Sequence, residues 1–264
     1  MAKFRLTKNN YYSTEANRIY WSASFVKAML DCPERAMAER NGEFTRSSST
    51  ALLVGQYVDS FFDGKIAFDS FVSSHPEIYN KRTGELKAEF AQAKRMIERA
   101  KQDSVFMSFL KGQRQKIFTG EIAGIPFKCK LDFYMPDRIV DLKTVKDFEP
   151  IYREGEGKLS FIEYWRWDLQ MAIYRELVRQ KTGKTLPCYL ACITKQEPAD
   201  LELIEIPSHV LDMNMEYIKK TLPRIDAMAQ GLIPTERCGK CEYCRATKKI
   251  MQPVSADEFS IGEV

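Results

Sequence analysis

Residues 124–144 read GIPFKCKLDFYMPDRIVDLKT and decide the fold. β-Branched and aromatic residues dominate this stretch and the run before it, and Ala123-Gly124 and Pro136-Asp137 interrupt them. Short apolar runs separated by such turn residues are typical of β-hairpins. The stretch therefore predicts a three-stranded antiparallel meander over residues 115–122, 125–134 and 138–144.

Two acids and a lysine lie near the ends of the predicted strands. Residues two apart in a strand point to the same face, so Asp141 and Lys143 project together. Asp132, on the preceding antiparallel strand, can lie across from them. Two carboxylates near one point form an oxygen-rich pocket suited to Mg²⁺ or Mn²⁺, and a neighbouring lysine can orient a water whose pKa the metal lowers. The same residues are also compatible with a surface hairpin that carries an ordinary Asp–Lys ion pair.

The composition of the chain is that of a globular protein. Its 264 residues, 44% hydrophobic and 29% charged, are sufficient for one core with a small appended module. The sequence has no apolar run of the ~20 residues that a membrane span needs. Residues 1–13 lack the apolar stretch of a secretory signal. We therefore expect a cytoplasmic protein without membrane contact.

The charge of the chain is weakly positive. Its 40 basic and 36 acidic residues give a net charge of +4, which does not by itself indicate nucleic-acid binding. Four basic residues cluster near the C-terminal end: Lys240, Arg245, Lys248 and Lys249. This cluster fits either a solvated surface or a patch that contacts phosphates.

The segments around the meander alternate between helical and strand patterns. Helices are predicted over 24–40, 51–62, 84–111, 161–181 and 210–230, and strands over 188–194 and 201–206. Residues 84–111 are expected to be an exposed helix, and residues 1–21 and 148–158 to be irregular. This order predicts an α/β fold with a central mixed sheet flanked by helices.

Two helical motifs accompany the meander. Residues 55–59 read GQYVD inside an apolar helix, where a buried aspartate needs a partner because an unpaired buried charge is costly. Residues 170–174 read QMAIY, and their Gln170 and Tyr174 lie one helical turn apart on the same face. Tyr174 is also compatible with core packing alone.

Together these motifs resemble the PD-(D/E)xK nuclease superfamily, in particular its RecB-like branch. The similarity covers about residues 22–245. The segments ALLVGQYVDSFF (51–62), VDLKTV (140–145) and WDLQMAIYRELV (167–178) are most similar to RecE-type, exonuclease VIII-like phage proteins. The resemblance implies a restriction-endonuclease-like core. We expect one nuclease domain over residues 1–252, with a flexible tail over residues 253–264.

The resemblance also implies roles for the residues of the meander. Asp132 and Asp141 would bind Mg²⁺ or Mn²⁺, and the backbone carbonyl of Leu142 would be a further ligand. Lys143 would position the attacking water or stabilise developing charge. These assignments describe a metal-dependent phosphodiester hydrolase.

The helical motifs complete the site that the resemblance implies. Gln170 and Tyr174 would line the active site and help to hold DNA or the catalytic lysine. The RecB-like branch usually carries Gly-x-x-x-His, with the histidine as a metal ligand, whereas Asp59 stands at that position here. Aspartate can bind Mg²⁺ or Mn²⁺ directly, or it can hydrogen-bond a water on the metal. The metal environment is therefore expected to contain only oxygen ligands.

The cysteines suggest a second site. The chain contains seven: Cys32, Cys129, Cys188, Cys192, Cys238, Cys241 and Cys244. An odd number in a cytoplasmic protein disfavours a disulfide framework. The spacing Cys238-x-x-Cys241-x-x-Cys244, with Cys32 far upstream, resembles the iron–sulfur staple of some RecB-like nucleases. Four thiolates suit a 4Fe–4S cluster, which the resemblance favours, or tetrahedral zinc.

One alternative to that staple stays open. The three C-terminal cysteines and a nearby fourth ligand can form a zinc knuckle that leaves Cys32 merely buried. A metal or cluster bound by all four cysteines would join the N- and C-terminal segments of the domain and stabilise the fold. The other three cysteines lie on apolar strands and are expected to be packed thiols.

The resemblance to RecE-type proteins implies a Mg²⁺/Mn²⁺-dependent deoxyribonuclease that resects double-stranded DNA ends for recombination by single-strand annealing. It also implies a RecT-like annealing protein as partner, a homo-oligomeric ring as assembly and the bacterial host cytoplasm as location. Tyr164, Trp165 and Trp167 fit either stacking on a frayed DNA end or core packing. Two alternatives remain: a nuclease of CRISPR adaptation or helicase-coupled DNA repair, and a catalytically inactive DNA-binding scaffold.

Overall fold

The computed structural model describes residues 4–47 and 49–256. Within these ranges the strands are β1 (Gln113–Ile122), β2 (Ile125–Met135), β3 (Arg138–Val145), β4 (Ile151–Arg153), β5 (Gly157–Leu159), β6 (Cys188–Thr194) and β7 (Leu201–Ile206). The α-helices are α1 (Thr14–Ile19), α2 (Ala23–Asp31), α3 (Pro33–Asn41), α4 (Thr50–Asp63), α5 (Lys65–Ser74), α6 (Ala88–Gln102), α7 (Ser104–Phe109), α8 (Phe161–Tyr164), α9 (Trp167–Thr182), α10 (Ser208–Ala229) and α11 (Glu242–Ala246). None of these helices is long and apolar enough to cross a membrane.

Five strands form the central sheet, in the order β1-β2-β3-β6-β7. The first three make the antiparallel meander, β3 pairs with β6 in parallel, and β6 pairs with β7 antiparallel. A parallel pair requires a crossover connection, which the β4–β5 hairpin, α8 and α9 supply. The predicted α/β fold with a mixed, helix-flanked sheet is confirmed, and β3 is its middle strand.

Helices bury both faces of the sheet. On one face, Met29 of α2 and Ile173 of α9 belong to the same apolar cluster as Ile139 of β3. On the other face, Val58 of α4 clusters with Val140 of β3. Because successive strand residues point to opposite faces, β3 is enclosed from both sides. Charged residues on β3 are therefore carried into the interior of the protein.

The helices predicted over 24–40 and 161–181 are broken. The helix predicted over 24–40 stops at Cys32, which is extended (φ −164°, ψ 96°), and Pro33 opens a new helix as proline can. The helix predicted over 161–181 is interrupted before Trp167, where Arg166 adopts a left-handed conformation (φ 50°). The predictions of continuous helices are wrong at these two points.

Three further segments differ from their predictions. Residues 148–158, predicted as a loop, contain β4 and the start of β5. Residues 1–21, predicted as irregular, contain α1, whose first turn is capped by the Ser13 hydroxyl. Residues 84–111 contain α6 and α7, and α6 is not an exposed helix because its face with Phe90 is buried.

The short helices α5 and α11 are not predicted from the sequence. Neither an apolar helical period nor a strong capping signal marks them. Of the predicted tail, residues 253–256 are exposed and residues 257–264 lie outside the described residues. The predicted single domain over 1–252 remains a prediction.

Replacing Gly112 with alanine tests how closely β1 lies against β2. Gly112 has φ 98°, and a Cβ there would lie 2.5 Å from the Tyr134 carbonyl oxygen. Gly84 (φ 72°) is the matched control, because a Cβ there meets nothing within 4 Å. Urea unfolding should show a loss of about 1 kcal/mol for G84A, from backbone strain alone, and a clearly larger loss for G112A. Equal losses would contradict this packing.

Candidate active site

The sheet opens between β2 and β3 shortly beyond their turn. The two strands pair only through residues 133–135 and 138–140. Beyond these pairs, Oδ2 of Asp132 accepts the backbone N–H of Leu142 at 3.0 Å. A side-chain carboxylate thus takes the place of a backbone acceptor, and the strands separate. The N–H and C=O of one strand residue point to the same edge, so the Leu142 carbonyl faces this opening as well.

Asp141 and Lys143 lie on the same face of β3 beside this opening. Asp141 is only 2% exposed, and its Oδ1 accepts a hydrogen bond from Nε2 of Gln170 on α9 at 3.1 Å. Its Oδ2 is ion-paired with the Lys143 ammonium and accepts no hydrogen bond from the residues that the structure describes. The structure therefore brings together the acid, the lysine and the glutamine that the sequence motifs single out.

Helix α4 carries Asp59 toward the same place. Gly55 makes the approach possible, because a Cβ there would lie only 3.2 Å from Oγ1 of Thr144 on β3. Asp59 lies four residues further along α4, on the same helical face. Burial raises the pKa of its carboxyl to about 7, with Lys143 opposing the shift and Asp141 adding to it. Asp59 is thus part of the electrostatic environment of the two meander residues.

Burial and the proximity of the other acids disfavour the charged forms of Asp59 and Asp132. Burial, and then the charges of Asp141 and Asp59, hold the pKa of Asp132 well above its usual range. Burial acts to lower the pKa of Lys143, but Asp141 and Asp132 outweigh it and the net shift is upward. One ammonium among three carboxylates leaves an excess of oxygen donors, a set suited to a hard divalent cation. The residues present fit Mg²⁺ or Mn²⁺.

Lys27 on α2 is a site residue that the sequence motifs do not reveal. Its Nζ donates to Oε1 of Gln170 at 3.1 Å and to the Trp165 carbonyl at 3.2 Å. Burial and the nearby Lys143 ammonium lower its pKa to about 8. Gln170 therefore bridges an acid and a second lysine. No spacing rule marks Lys27, because only the packing of α2 against α9 brings it to the site.

Gln115 on β1 is a second such residue. Its Nε2 donates to Oδ1 of Asp132 at 3.3 Å and to Oδ1 of Asp63 at 2.9 Å. Gln115 has φ 51°, a strained conformation for a residue other than glycine. The donated hydrogen bond orients the Asp132 carboxylate from the side opposite to Leu142. A polar residue in a strand pattern gives no sequence signal for this role.

The aromatic residues near the motifs divide between the site and its surroundings. Tyr174 is partly buried on α9, and burial followed by the Asp141 charge holds the pKa of its hydroxyl well above the usual range. The Trp167 ring packs on Phe161, and its centroid lies 5.3 Å from Nζ of Lys143. Trp165 is 51% exposed, whereas Tyr164 packs against Trp165 and Arg153. Trp165 is thus the ring of the three that is most open to a ligand.

A groove of about 700 Å³ adjoins the site. Lys27 and Tyr174 line its inner end, and the N-terminal segment, α2, α3 and β2 supply most of its walls. The cationic residues of the lining are Lys27, Arg40, Arg46, Lys128, Lys130, Arg153 and Arg166. The acidic ones are Asp31 and Glu39, which are ion-paired with Arg166 and Arg46. The lining of the groove is therefore strongly cationic.

Aromatic rings accompany the cations of this groove. Nζ of Lys130 lies 4.5 Å from the ring centroid of Tyr12, which is 72% exposed. Lys128 is buried and donates to Oδ1 of Asn17 at 2.8 Å, which fastens the N-terminal segment to β2. None of the predicted C-terminal cluster Lys240, Arg245, Lys248 and Lys249 lines the groove.

The cysteine motif forms a separate cluster. The Sγ atoms of Cys32, Cys238, Cys241 and Cys244 all lie within 4.8 Å of one another, an arrangement that could hold a metal ion. Cys129, Cys188 and Cys192 are buried as free thiols in the sheet. The long-range pairing of Cys32 with the C-terminal motif is therefore present in the structure.

Two comparisons relate the chain to known proteins. A family model described as a PDDEXK-like domain of unknown function (DUF3799) matches residues 22–247. The chain is also similar to a crystal structure of a candidate exonuclease from Eubacterium rectale, with a TM-score of 0.93 and 38% sequence identity. That similarity covers 99% of this chain and 100% of the other. No curated protein matches the chain significantly.

The repulsion among the three carboxylates can be measured without an activity assay. In chelator, the D59N variant should melt a few degrees above the wild type, because it lacks one of the repelling charges. Excess Mg²⁺ should then raise the melting temperature of the wild type more than that of D59N. The D69N variant, changed at an exposed position of α5, is the control. Its melting temperature should not exceed that of the wild type in chelator, and Mg²⁺ should raise it as much as it raises that of the wild type. If D59N is less stable than the wild type in chelator, the repulsion is absent.

Proposed function

Because the chain belongs to the PDDEXK-like domain family, we propose that it is a Mg²⁺- or Mn²⁺-dependent DNA exonuclease. Its fold is that of a PD-(D/E)xK nuclease, and the similar protein of Eubacterium rectale is described as a candidate exonuclease. One observation carries the proposal: Asp132, Asp141 and Lys143 converge where β2 and β3 separate.

The metal ligands in this proposal come from three chain segments. Asp132 of β2, Asp141 of β3 and Asp59 of α4 would hold the cation, together with the carbonyl of Leu142. A bound divalent cation makes an attacking water more acidic and offsets charge on the phosphoryl oxygens. Asp59, where related nucleases have histidine, makes the donor set all oxygen, which suits Mg²⁺ at least as well as Mn²⁺.

Lys143 supplies a positive charge from the protein itself. Its ammonium is held by Asp141 and lies near the face of Trp167, at the opening between the strands. From there it can donate to an attacking water and to a phosphoryl oxygen. Preorganised donors of this kind stabilise charge that develops in the transition state. In this role Lys143 is a catalytic residue.

Gln170 and Tyr174 act from α9. Gln170 donates to Asp141 and accepts from Lys27, so it fixes the orientation of the carboxylate and places a second cation beside it. Tyr174 lies between the site and the groove. We assign Gln170 to positioning of the ligand Asp141, and Tyr174 to contact with the DNA that enters from the groove.

The groove supplies the path for a DNA strand. Its cations suit phosphates, and the exposed rings of Tyr12 and Trp165 suit bases that have left the duplex. Lys27 and Tyr174 join the inner end of the groove to the catalytic residues. A single strand separated at a duplex end would therefore lie along the groove with its scissile phosphate at the opening of the sheet.

The proposed role is resection of duplex ends. The exposed single strand would pass to a RecT-like annealing protein during recombination, in a phage or prophage setting, and a ring of subunits would retain the DNA. Light scattering of the purified protein measures whether such a ring forms. Co-purification with a RecT-like protein from the same genome measures the partnership.

Substitution of Asp141 or Lys143 with alanine should lower cleavage of linear duplex DNA by roughly 10³-fold or more, because each removes a group that stabilises the transition state. Circular dichroism should show that both variants fold. D137A, changed at the exposed turn of the same hairpin, is the control and should keep wild-type activity. Full activity of D141A or K143A would refute the assignment.

The choice of DNA substrate separates the proposed activity from its alternatives. An exonuclease degrades linear duplex DNA in the presence of Mg²⁺ or Mn²⁺ and leaves covalently closed circles intact. End labels on each strand then report the polarity, which helps to separate resection from adaptation or helicase-coupled cleavage. A purified protein that binds DNA but never degrades it would instead be the inactive scaffold.

Substitutions of Lys130 and Tyr12 test the proposed path of the DNA strand. In the D141A background, which stops cleavage, K130A and Y12A should each weaken binding of a short single strand by about fivefold or more. K130A should also reduce the salt dependence of binding, because one phosphate contact is lost. K219A, changed on exposed α10 away from the groove, is the control. Fluorescence anisotropy measures all three, and equal effects of K219A and K130A would exclude the groove.

A further inference from the structure

The four clustered cysteines lie at short and similar separations. Cys32 Sγ is 3.6 Å from Cys244 Sγ and 3.8 Å from Cys241 Sγ. Cys238 Sγ is 3.9 Å from Cys244 Sγ. A disulfide would hold two sulfurs about 2.05 Å apart, so none of these contacts is a disulfide. The four sulfurs mark the corners of a small tetrahedron.

From these separations we infer that the cysteines hold one tetrahedral zinc ion. A zinc–sulfur bond of about 2.3 Å in tetrahedral geometry places neighbouring sulfurs about 3.8 Å apart. In a 4Fe–4S cluster each thiolate binds a different iron at a corner of a cube, which holds the sulfurs roughly 6 Å apart. The cluster that the family resemblance implies therefore does not fit this cage, whereas a single ion does.

Backbone hydrogen bonds to the sulfurs provide a second observation. The N–H of Cys241 donates to Cys238 Sγ at 3.3 Å, and the N–H of Cys244 donates to Cys241 Sγ at 3.4 Å. Such donors stabilise the thiolate form, which is the form that binds metals. They also orient the sulfurs of both Cys-x-x-Cys pairs toward a common centre, where an ion would bind.

The number and burial of the ligands indicate a structural ion. Four protein thiolates complete a tetrahedral shell and leave no position for a substrate or water. Cys32 and Cys244 are buried at 0% and 3% exposure, so one side of the cage is sealed by protein. Zinc has no redox chemistry in such a site, and its contribution would be to folding.

The ion would join two distant parts of the chain. Cys32 lies at the break between α2 and α3, and the other ligands lie in and before α11. Other contacts across this junction include a backbone hydrogen bond from the Glu34 N–H to the Glu236 carbonyl at 3.1 Å, the Thr235–Glu34 hydrogen bond and the Phe44–Tyr243 ring contact. Helix α2 bears Lys27, so the zinc ion would also support one wall of the groove.

Metal analysis of untagged protein, purified without oxygen from iron- and zinc-supplemented cells, tests the inference. We expect one zinc per chain, almost no iron, and a colourless sample without the broad band near ~400 nm of an iron–sulfur cluster. C238S should lose most of the zinc, whereas C129A, changed at a buried thiol outside the cage, should keep it. If C238S does not fold, titration of wild-type thiols with a mercurial should release one zinc per chain.

A brown protein with about four irons per chain would overturn the inference. A metal-free protein whose melting temperature does not respond to zinc would overturn it as well. A zinc-selective chelator in excess Mg²⁺ should lower the melting temperature of both wild type and D141A by roughly 5 °C or more. Because D141A is expected to be inactive yet zinc-loaded, this result is independent of the proposed nuclease activity.

Discussion

The hydrogen bond from the Leu142 N–H to the Asp132 carboxylate is the contact on which the site depends. Strands β2 and β3 leave their turn as an ordinary antiparallel pair and separate after three paired positions. At that point a backbone donor inside the sheet needs an acceptor, because an unsatisfied buried N–H is costly. Asp132 provides it, and the same carboxylate then faces Asp141, Lys143 and the Leu142 carbonyl. Asp132 therefore satisfies the backbone donor where the strands separate, and it brings its carboxylate beside Asp141.

Charge organises the surroundings of that opening. Three carboxylates converge from β2, β3 and α4, and their mutual repulsion and burial raise the pKa values of Asp59 and Asp132. Lys143 lies among these carboxylates as the ion-pair partner of Asp141, and Lys27 and the arginines and lysines of the groove lie beyond it. An acidic centre that attracts a divalent cation, next to a basic channel that attracts phosphates, is the arrangement that a metal-dependent nuclease needs. The family and the similar candidate exonuclease agree with a nuclease fold.

The sequence predicts the helices, strands and site residues that local patterns determine, and it does not reveal those that depend on tertiary packing. The meander, β6, β7 and α4 are predictable because their residues carry the strand and helix periods themselves. The helix breaks at Cys32 and Arg166 are missed because a continuous helical pattern hides them. The β4–β5 hairpin is missed because its short strands and two glycines are typical of a loop. Asp132, Asp141, Lys143 and Gln170 are predicted through the combined motifs and the family resemblance that these motifs carry. Lys27 and Gln115 cannot, because only tertiary contacts bring them to the acids. The cysteine spacing likewise predicts a site, whereas the kind of ion depends on distances between sulfurs.

Crystals soaked in Mn²⁺ would show whether the opening between β2 and β3 is a metal centre. We expect an anomalous difference peak within about 2–2.3 Å of the carboxylates of Asp132 and Asp141 and of the Leu142 carbonyl. Asp59 should lie in the same shell, either as a ligand or through a bridging water. A peak confined to surface carboxylates, with the opening filled only by the Lys143 ion pair, would contradict it.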